Sequence, residues 1–218
     1  MRKVLLCLLV CALLFGSATA FSSCKRAPKI DAVRDELIAL IEASYEINTV
    51  FFGPGLPVYD RSDPVYADLY NSLSSQYANS YSLVDDHAKF SSINEIKAAA
   101  SLVYSPKLLE ENLFVNAFVG YALPDAVGNL SSSPALFAEA LESDGNYHLF
   151  QSDSLNNLLP DGQKIYDYST MKIVRPSKQD TLFVTLSCCY ASDPDTRLSE
   201  RLRFVNTSSG WRLDSFTV

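Results

Sequence analysis

The sequence predicts an α+β protein in which N-terminal helices pack on a C-terminal curved antiparallel β-meander. Two observations carry that expectation. From Ile30 the apolar residues recur at three- and four-residue spacing, and from Asn146 the period changes to two. The later segments are joined by connectors of hairpin length, and helices followed by strands make an α+β class.

Ile30, Val33, Leu37, Leu40, Ile41, Tyr45, Asn48 and Phe52 give one long amphipathic helix, from about Lys29 to Phe52. Gly53-Pro54-Gly55 and Pro57 stop it, although the same loop could serve as a rigid recognition element. Asp63-Pro64 supplies an N-cap and a first-turn proline, and Tyr66, Leu69, Tyr70, Leu73 and Tyr77 share a face if the segment opened by Pro64 is helical. Tyr81 to Val84 is a short extended piece. Ser92-Ile93-Asn94-Glu95 is a capping box opening a helix to about Tyr104, and Ser105-Pro106 opens another. Leu123 to Ser133 is loop-like, and Ser133-Pro134 caps a short helix through Leu141 that Ser143-Asp144-Gly145 ends.

Strands are expected at Tyr147–Gln151, Lys164–Arg175, Thr181–Tyr190, Leu198–Asn206 and Gly210–Val218. The connectors Pro176–Asp180, Ser192–Asp195 and Thr207–Gly210 have turn chemistry. The alternation puts Leu182, Val184, Leu186 and Cys188 on one face, making Cys188 a small core residue. It also places Trp211 at least half buried, across from the Leu198–Asn206 strand.

The first residues carry an address. Met1-Arg2-Lys3 is a positive stretch, and Val4 to Phe15 is apolar but too short to span a ~30 Å hydrocarbon core. Phe21-Ser22-Ser23-Cys24 resembles a bacterial lipobox, with Phe in place of the usual Leu, so Cys24 is the expected lipidation site. Ala18-Thr19-Ala20 offers ordinary signal-peptidase cleavage as the alternative, giving a secreted chain. The expected organisation is a signal peptide at 1–23, a lipid-anchored tether at 24–29 and a single domain at 30–218. Within that domain, 30–145 is helical and 146–218 forms the meander.

The 218-residue chain has 18 basic and 25 acidic residues, a net of −7. Loss of residues 1–23 removes Arg2 and Lys3 and no acid, leaving 16 basic against 25 acidic, a net of −9. No basic block is present, which argues against nucleic acid as a partner. With Cys24 lipidated, Cys188 and Cys189 remain. They are adjacent in an extended run, so their side chains point to opposite faces.

The motifs that place a nucleophile, metal or phosphate cradle (GxGxxG, P-loop, GxSxG, CxxC, HExxH) do not occur. No catalytic residue, metal or cofactor is expected. Asp85-Asp86-His87 could be a general base or half a metal site, or a solvated loop. His148 is expected as a partly buried strand histidine. A nucleophilic role for the mid-strand cysteines lacks a base or a helix N-terminus. The spacing of Tyr59, Tyr66, Tyr70, Tyr77 and Tyr81 suits either a core stripe or an aromatic contact platform. Acidic loop residues Asp85, Asp86, Asp193 and Asp195 are the candidate partner-binding groups.

A family resemblance rests on the helix running into Phe51-Phe52-Gly53 and on Tyr81-x-x-Val84, Ser91-x-Ile93-x-x-Ile96-Lys97, Val103-Tyr104-Ser105-Pro106 and Leu109. Over roughly residues 30–115 the chain resembles the exported IseA-type inhibitors of bacterial cell-wall DL-endopeptidases. The resemblance implies a non-catalytic protein that binds NlpC-type peptidases outside the cell. The end of the meander, Gly210-Trp211-Arg212-Leu213-Asp214, also looks like the last strand of cystatin-like or nuclear-transport-factor-2-like folds. Two alternatives stay open: a small-molecule-binding or enzymatic cystatin-like domain, and an envelope interaction module with another partner.

Overall fold

A computed structural model describes residues 26–74, 77, 80–124, 130–155, 159 and 161–218. Cys24 and the expected signal peptide lie outside the described residues. A 3₁₀ turn at Ile30–Ala32 leads into helix α1, Arg34–Phe52. Helix α2 is Pro64–Ser72, β1 is Tyr81–Leu83 and α3 is Ile93–Val103. Helix α4 is built from Pro106–Leu108, a π-helical turn over Leu109–Leu113, and Phe114–Phe118. Strands come next at β2 Tyr121–Pro124, β3 Leu130–Ser133, β4 Phe137–Leu141 and β5 Tyr147–Ser152. The last four are β6 Lys164–Val174, β7 Thr181–Tyr190, β8 Asp193–Thr207 and β9 Gly210–Leu213.

The fold is α+β, with its helices early and a four-stranded meander, β6-β7-β8-β9, at the end. Local chemistry sets the helix starts as the sequence indicates. The Asp63 carboxylate accepts the Val65 N–H, Ser92 accepts Glu95 N–H and Ser105 accepts Leu108 N–H. In the Ser92 cap the Glu95 carboxylate reaches back to Ser91 N–H at 2.8 Å, one residue before the position a capping box uses.

Five expectations are corrected. The segment expected as a helix through Leu141 is strand β4, laddered to β5 from Phe137↔Gln151 to Leu141↔Tyr147. Ala, Glu and Leu favour helix, but the ladder buries Phe137 in the main core and Ala138 in a second apolar cluster, and pairing overrides propensity. The expected loop at 123–133 contains the ends of a hairpin, β2 paired with β3. The strand at Tyr147 leaves the meander and forms a separate sheet in the order β1-β5-β4, so the expected helical region 30–145 also holds β1 to β4. Asp193 and Asp195 belong to β8 rather than to a loop, and the Cα of Asp193 pairs with Tyr190 past a register shift. The strand expected through Val218 ends at Leu213.

The main core joins α1, α3 and α4 to the inner faces of both sheets. Leu182, Val184, Leu186 and Cys188 all point into it, as their alternation predicts. Trp211 is 5% exposed and pairs with Asn206. Two groups of buried polar side chains in this core are matched. Ser44, Asn48, Tyr104 and Thr217 form one hydrogen-bonded chain. Lys164 bridges Glu200 at 2.7 Å and the Val218 main-chain oxygen at 2.8 Å.

The tyrosine spacing resolves as a second, smaller core. Tyr59, Tyr81, Leu83, Ala138 and Phe150 are buried there, with Tyr66, Tyr70 and Tyr77 packed against them. Tyr59 and Tyr66 lie 4.5 Å apart between ring centroids, and Tyr70 Oη donates to the Tyr59 carbonyl at 2.7 Å. The Gly53–Pro57 loop is pinned to the three-stranded sheet, because Gln151 Oε1 accepts Leu56 N–H at 2.6 Å. Gly55 has φ +83°, and a Cβ there would stand 2.2 Å from that same oxygen.

Candidate functional site

The three-stranded sheet gathers the chain's two histidines and several acids at one end. Its register pairs Leu83 with Phe150, and Val84 N–H donates to the Leu149 carbonyl. Continuing that ladder brings Asp85 to the level of His148. The loop after β1 and the β4–β5 tip therefore share one end of the sheet.

The Asp85–His87 loop is held firmly. Val58 bridges Val84, and Asp85 N–H donates to the Pro57 carbonyl at 2.9 Å. Asp85 Oδ1 accepts His87 N–H at 2.7 Å and faces His87 Nδ1 at 3.1 Å. The His87 N–H, with a smaller contribution from its ring, holds the Asp85 carboxyl below its ordinary range. Asp86 is exposed, and its N–H donates to Tyr59 Oη at 3.2 Å. The Asp86 N–H acts to lower the Tyr59 phenol, but burial and the nearby carboxylates outweigh it and raise the pKa. Asp85 is thus the acid that shapes the loop, and Asp86 is the acid it presents.

At the tip, Glu142 N–H donates to Asn146 O, and Gly145 turns the chain at φ +82°. Asp144 accepts from Asn146 N–H at 2.9 Å and faces His148 Nε2 at 2.9 Å. Asn146 N–H, then His148, lower the Asp144 carboxyl to about 2. Leu141 and Tyr147 sit directly opposite each other across the ladder, 55% and 73% exposed. Side chains on fixed strands with a large aromatic left in solvent suit contact with another protein.

Asp193 and Asp195 are exposed on β8, in the other sheet. Asp193 Oδ1 accepts Thr196 N–H at 3.2 Å. The four acidic candidates are therefore divided between two sheets. Asp144, Leu141 and Tyr147 were missed by sequence reasoning. Ser143-Asp144-Gly145 was legible as a turn, but reading the preceding residues as helix hid the hairpin and its outward pair.

The two cysteines among the described residues are withdrawn from solvent. Cys188 and Cys189 are both buried and unpaired, and burial raises the Cys188 thiol, disfavouring thiolate. Each histidine faces its own turn aspartate. Among the described residues no group of three or more His, Cys, Asp or Glu could hold a metal ion. A 520 Å³ cleft beside β4 is lined by Tyr77, Tyr81, Phe118, Phe137 and Glu139 among others. Glu139 Oε1 already accepts Ile93 N–H there, at 2.7 Å. No protein-family model matches the chain, and no curated protein matches it in sequence.

Proposed function

We propose that the chain is an exported, lipid-anchored, non-catalytic binding protein of the bacterial cell surface that restrains an NlpC-type cell-wall DL-endopeptidase. The observation that carries this reading is the fixed end of the three-stranded sheet, where acidic turns flank the exposed Tyr147. Loops already ordered by their own hydrogen bonds lose little freedom on docking, which favours association. Acidic groups in a fixed frame suit the basic rim of a peptidase cleft, and complementary charge speeds encounter. The secretory leader, the lipobox-like Cys24 and the IseA-type resemblance over residues 30–115 support the same reading from sequence.

The test is peptidoglycan cleavage by a purified NlpC-type peptidase, with the protein added at low and high salt. Inhibition is expected without consumption of the inhibitor, weakening with salt as charges are screened over ~8 Å at physiological ionic strength. Asp86→Lys should slow association, and Tyr147→Ala should speed dissociation about tenfold or more, as a central aromatic contact does. Absence of binding to any cell-wall peptidase would overturn the inhibitor assignment and leave an envelope interaction module with another partner.

A further inference from the structure

The four-stranded sheet has one face against the core and the other toward solvent. The residues opposite one another on the outer face are set by register: Lys172, Thr185 and Arg201 form one row, and Val174, Phe183 and Arg203 the next. Arg197 lies on the same side, its guanidinium 3.7 Å from Cys189 Sγ. In an acidic chain this face carries Lys172, Arg197, Arg201 and Arg203. The acids beside these rows are Asp167, held by the Ser169 turn, and Asp214, paired with Arg203 at 2.9 Å, while the exposed Asp193 and Asp195 lie at the β7–β8 turn, beyond Arg197 on the same strand. Glu200 points inward to Lys164. Arg201 and Arg203 both lie over the Phe183 ring, at 4.5 and 6.0 Å, so their guanidinium groups are partly ordered before anything binds.

The N-terminal segment borders this face. Lys29, Ile30 and Asp31 lie against Met171, Lys172 and Ile173 of β6. Arg34, which also pairs with Asp31 at 3.7 Å, donates to the Tyr168 carbonyl at 2.9 Å. Cys24 precedes Pro28 by four residues, a reach of at most ~14 Å. The segment contributes three more cations, Lys25, Arg26 and Lys29.

We propose that the outer face of the β6-β7-β8-β9 sheet docks on an anionic phospholipid bilayer, with Arg26 and Lys29 completing the contact. Adjacency and charge identify the occupant. Pro28 and Lys29, the described end of the segment that would carry the acyl group, line one cleft with Met171, Lys172 and Ile173 of β6, so the face bordering that cleft is the one a short anchor holds against headgroups. A cluster of four to eight Lys and Arg beside a membrane anchor is the usual composition of an acidic-lipid contact. Guanidinium groups suit lipid phosphate because they bond it in bidentate fashion. This inference rests on the anchor at Cys24 for its local concentration at the bilayer, and it is tested without that anchor so that the two fail separately.

The test uses unlipidated residues 24–218, which contain both hydrophobic clusters, and vesicles of phosphatidylcholine alone or in equal parts with phosphatidylglycerol. Co-sedimentation is expected only with phosphatidylglycerol and should fall with added salt. Lys172→Gln with Arg201→Gln should lower partitioning on the order of tenfold, while the unfolding temperature falls only slightly, through loss of the Arg201 contacts with the Phe183 ring and the Arg175 carbonyl, because both side chains are exposed. Lys89→Gln with Lys107→Gln removes the same charge from residues paired with Glu46 and Glu111, and should leave partitioning as it was. Equal loss from both pairs would reduce the effect to net charge and overturn the assignment of a face. Absence of any phosphatidylglycerol preference would overturn it too. Binding to soluble poly(glycerol phosphate) by the same residues, with vesicles left unbound, would give the face to a wall polymer and overturn the bilayer. Mass spectrometry of the native N-terminus separately decides whether Cys24 is acylated.

Discussion

Thr217 Oγ1 accepts a hydrogen bond from Asn48 Nδ2 at 2.7 Å, tying the tail after β9 into the middle of α1. Donor supply orients the whole chain of contacts. Ser44 donates its proton to the Ile41 carbonyl, so Thr217 must donate to Ser44 Oγ, and Tyr104 Oη donates to Asn48 Oδ1 at 2.6 Å. Burial also raises the Tyr104 phenol to about 12, so it stays a donor at neutral pH. Thr217→Val keeps the shape but strands the Asn48 amide and the Ser44 oxygen. It is expected to cost about 1–3 kcal/mol in urea unfolding. Tyr104→Phe should cost a similar amount. A double-mutant cycle should show the two coupled through Asn48; strict additivity would mean that they act independently.

Trp211 is predicted to be a core anchor rather than a binding residue. It is 5% exposed, and its main-chain N–H donates to Glu36 Oε1 at 3.1 Å, joining β9 to the first turn of α1. Trp211→Ala is expected to lower stability by about 3–5 kcal/mol. A loss below about 1 kcal/mol in the same unfolding measurement would contradict this placement, since surface substitutions cost that little.

The legible parts of the chain were those where one local signal agreed with the packing. Asp63, Ser92 and Ser105 cap helices because a short oxygen-bearing side chain precedes each first turn, and the β7 alternation fixes which residues enter the core. The segment Phe137–Leu141 was not legible, because its composition favours helix and only the non-local ladder to β5 decides the outcome. The same non-locality hid the candidate surface. Asp85 and Asp144 are far apart in sequence, and the β1–β5–β4 order brings their turns to one end. The basic outer face was also invisible as composition, because Arg197, Arg201 and Arg203 are spread along β8 and Lys172 arrives from β6.

Asp85 and Asp86 are expected to separate cleanly on substitution. Asp85→Ala removes the acceptor for His87 N–H and should lower the unfolding temperature. Asp86→Ala keeps the main-chain bond to Tyr59 and should change stability by less than about 0.5 kcal/mol. Thermal unfolding of the two variants checks this. If Asp86→Ala were the more destabilising, the roles assigned to the two acids would be reversed.

Acid should loosen the β4–β5 tip before it unfolds the core. The Asp144 carboxyl is lowered from 3.8 to about 2 by the Asn146 N–H first and by His148 second. A group whose folded pKa is depressed contributes stability that is complete above its unfolded value, here about pH 4, and that disappears as pH falls through its folded value, about 2. Between those limits the Asn146 N–H should lose protection from hydrogen exchange, while amides of the buried β7 strand keep theirs. Asp144→Asn retains an acceptor oxygen but has no carboxyl to titrate, so its tip should show no change across this window. A wild-type tip equally protected at pH 2 and pH 5 would mean that Asp144 does not hold the turn, and that Gly145 and the ladder alone fix it.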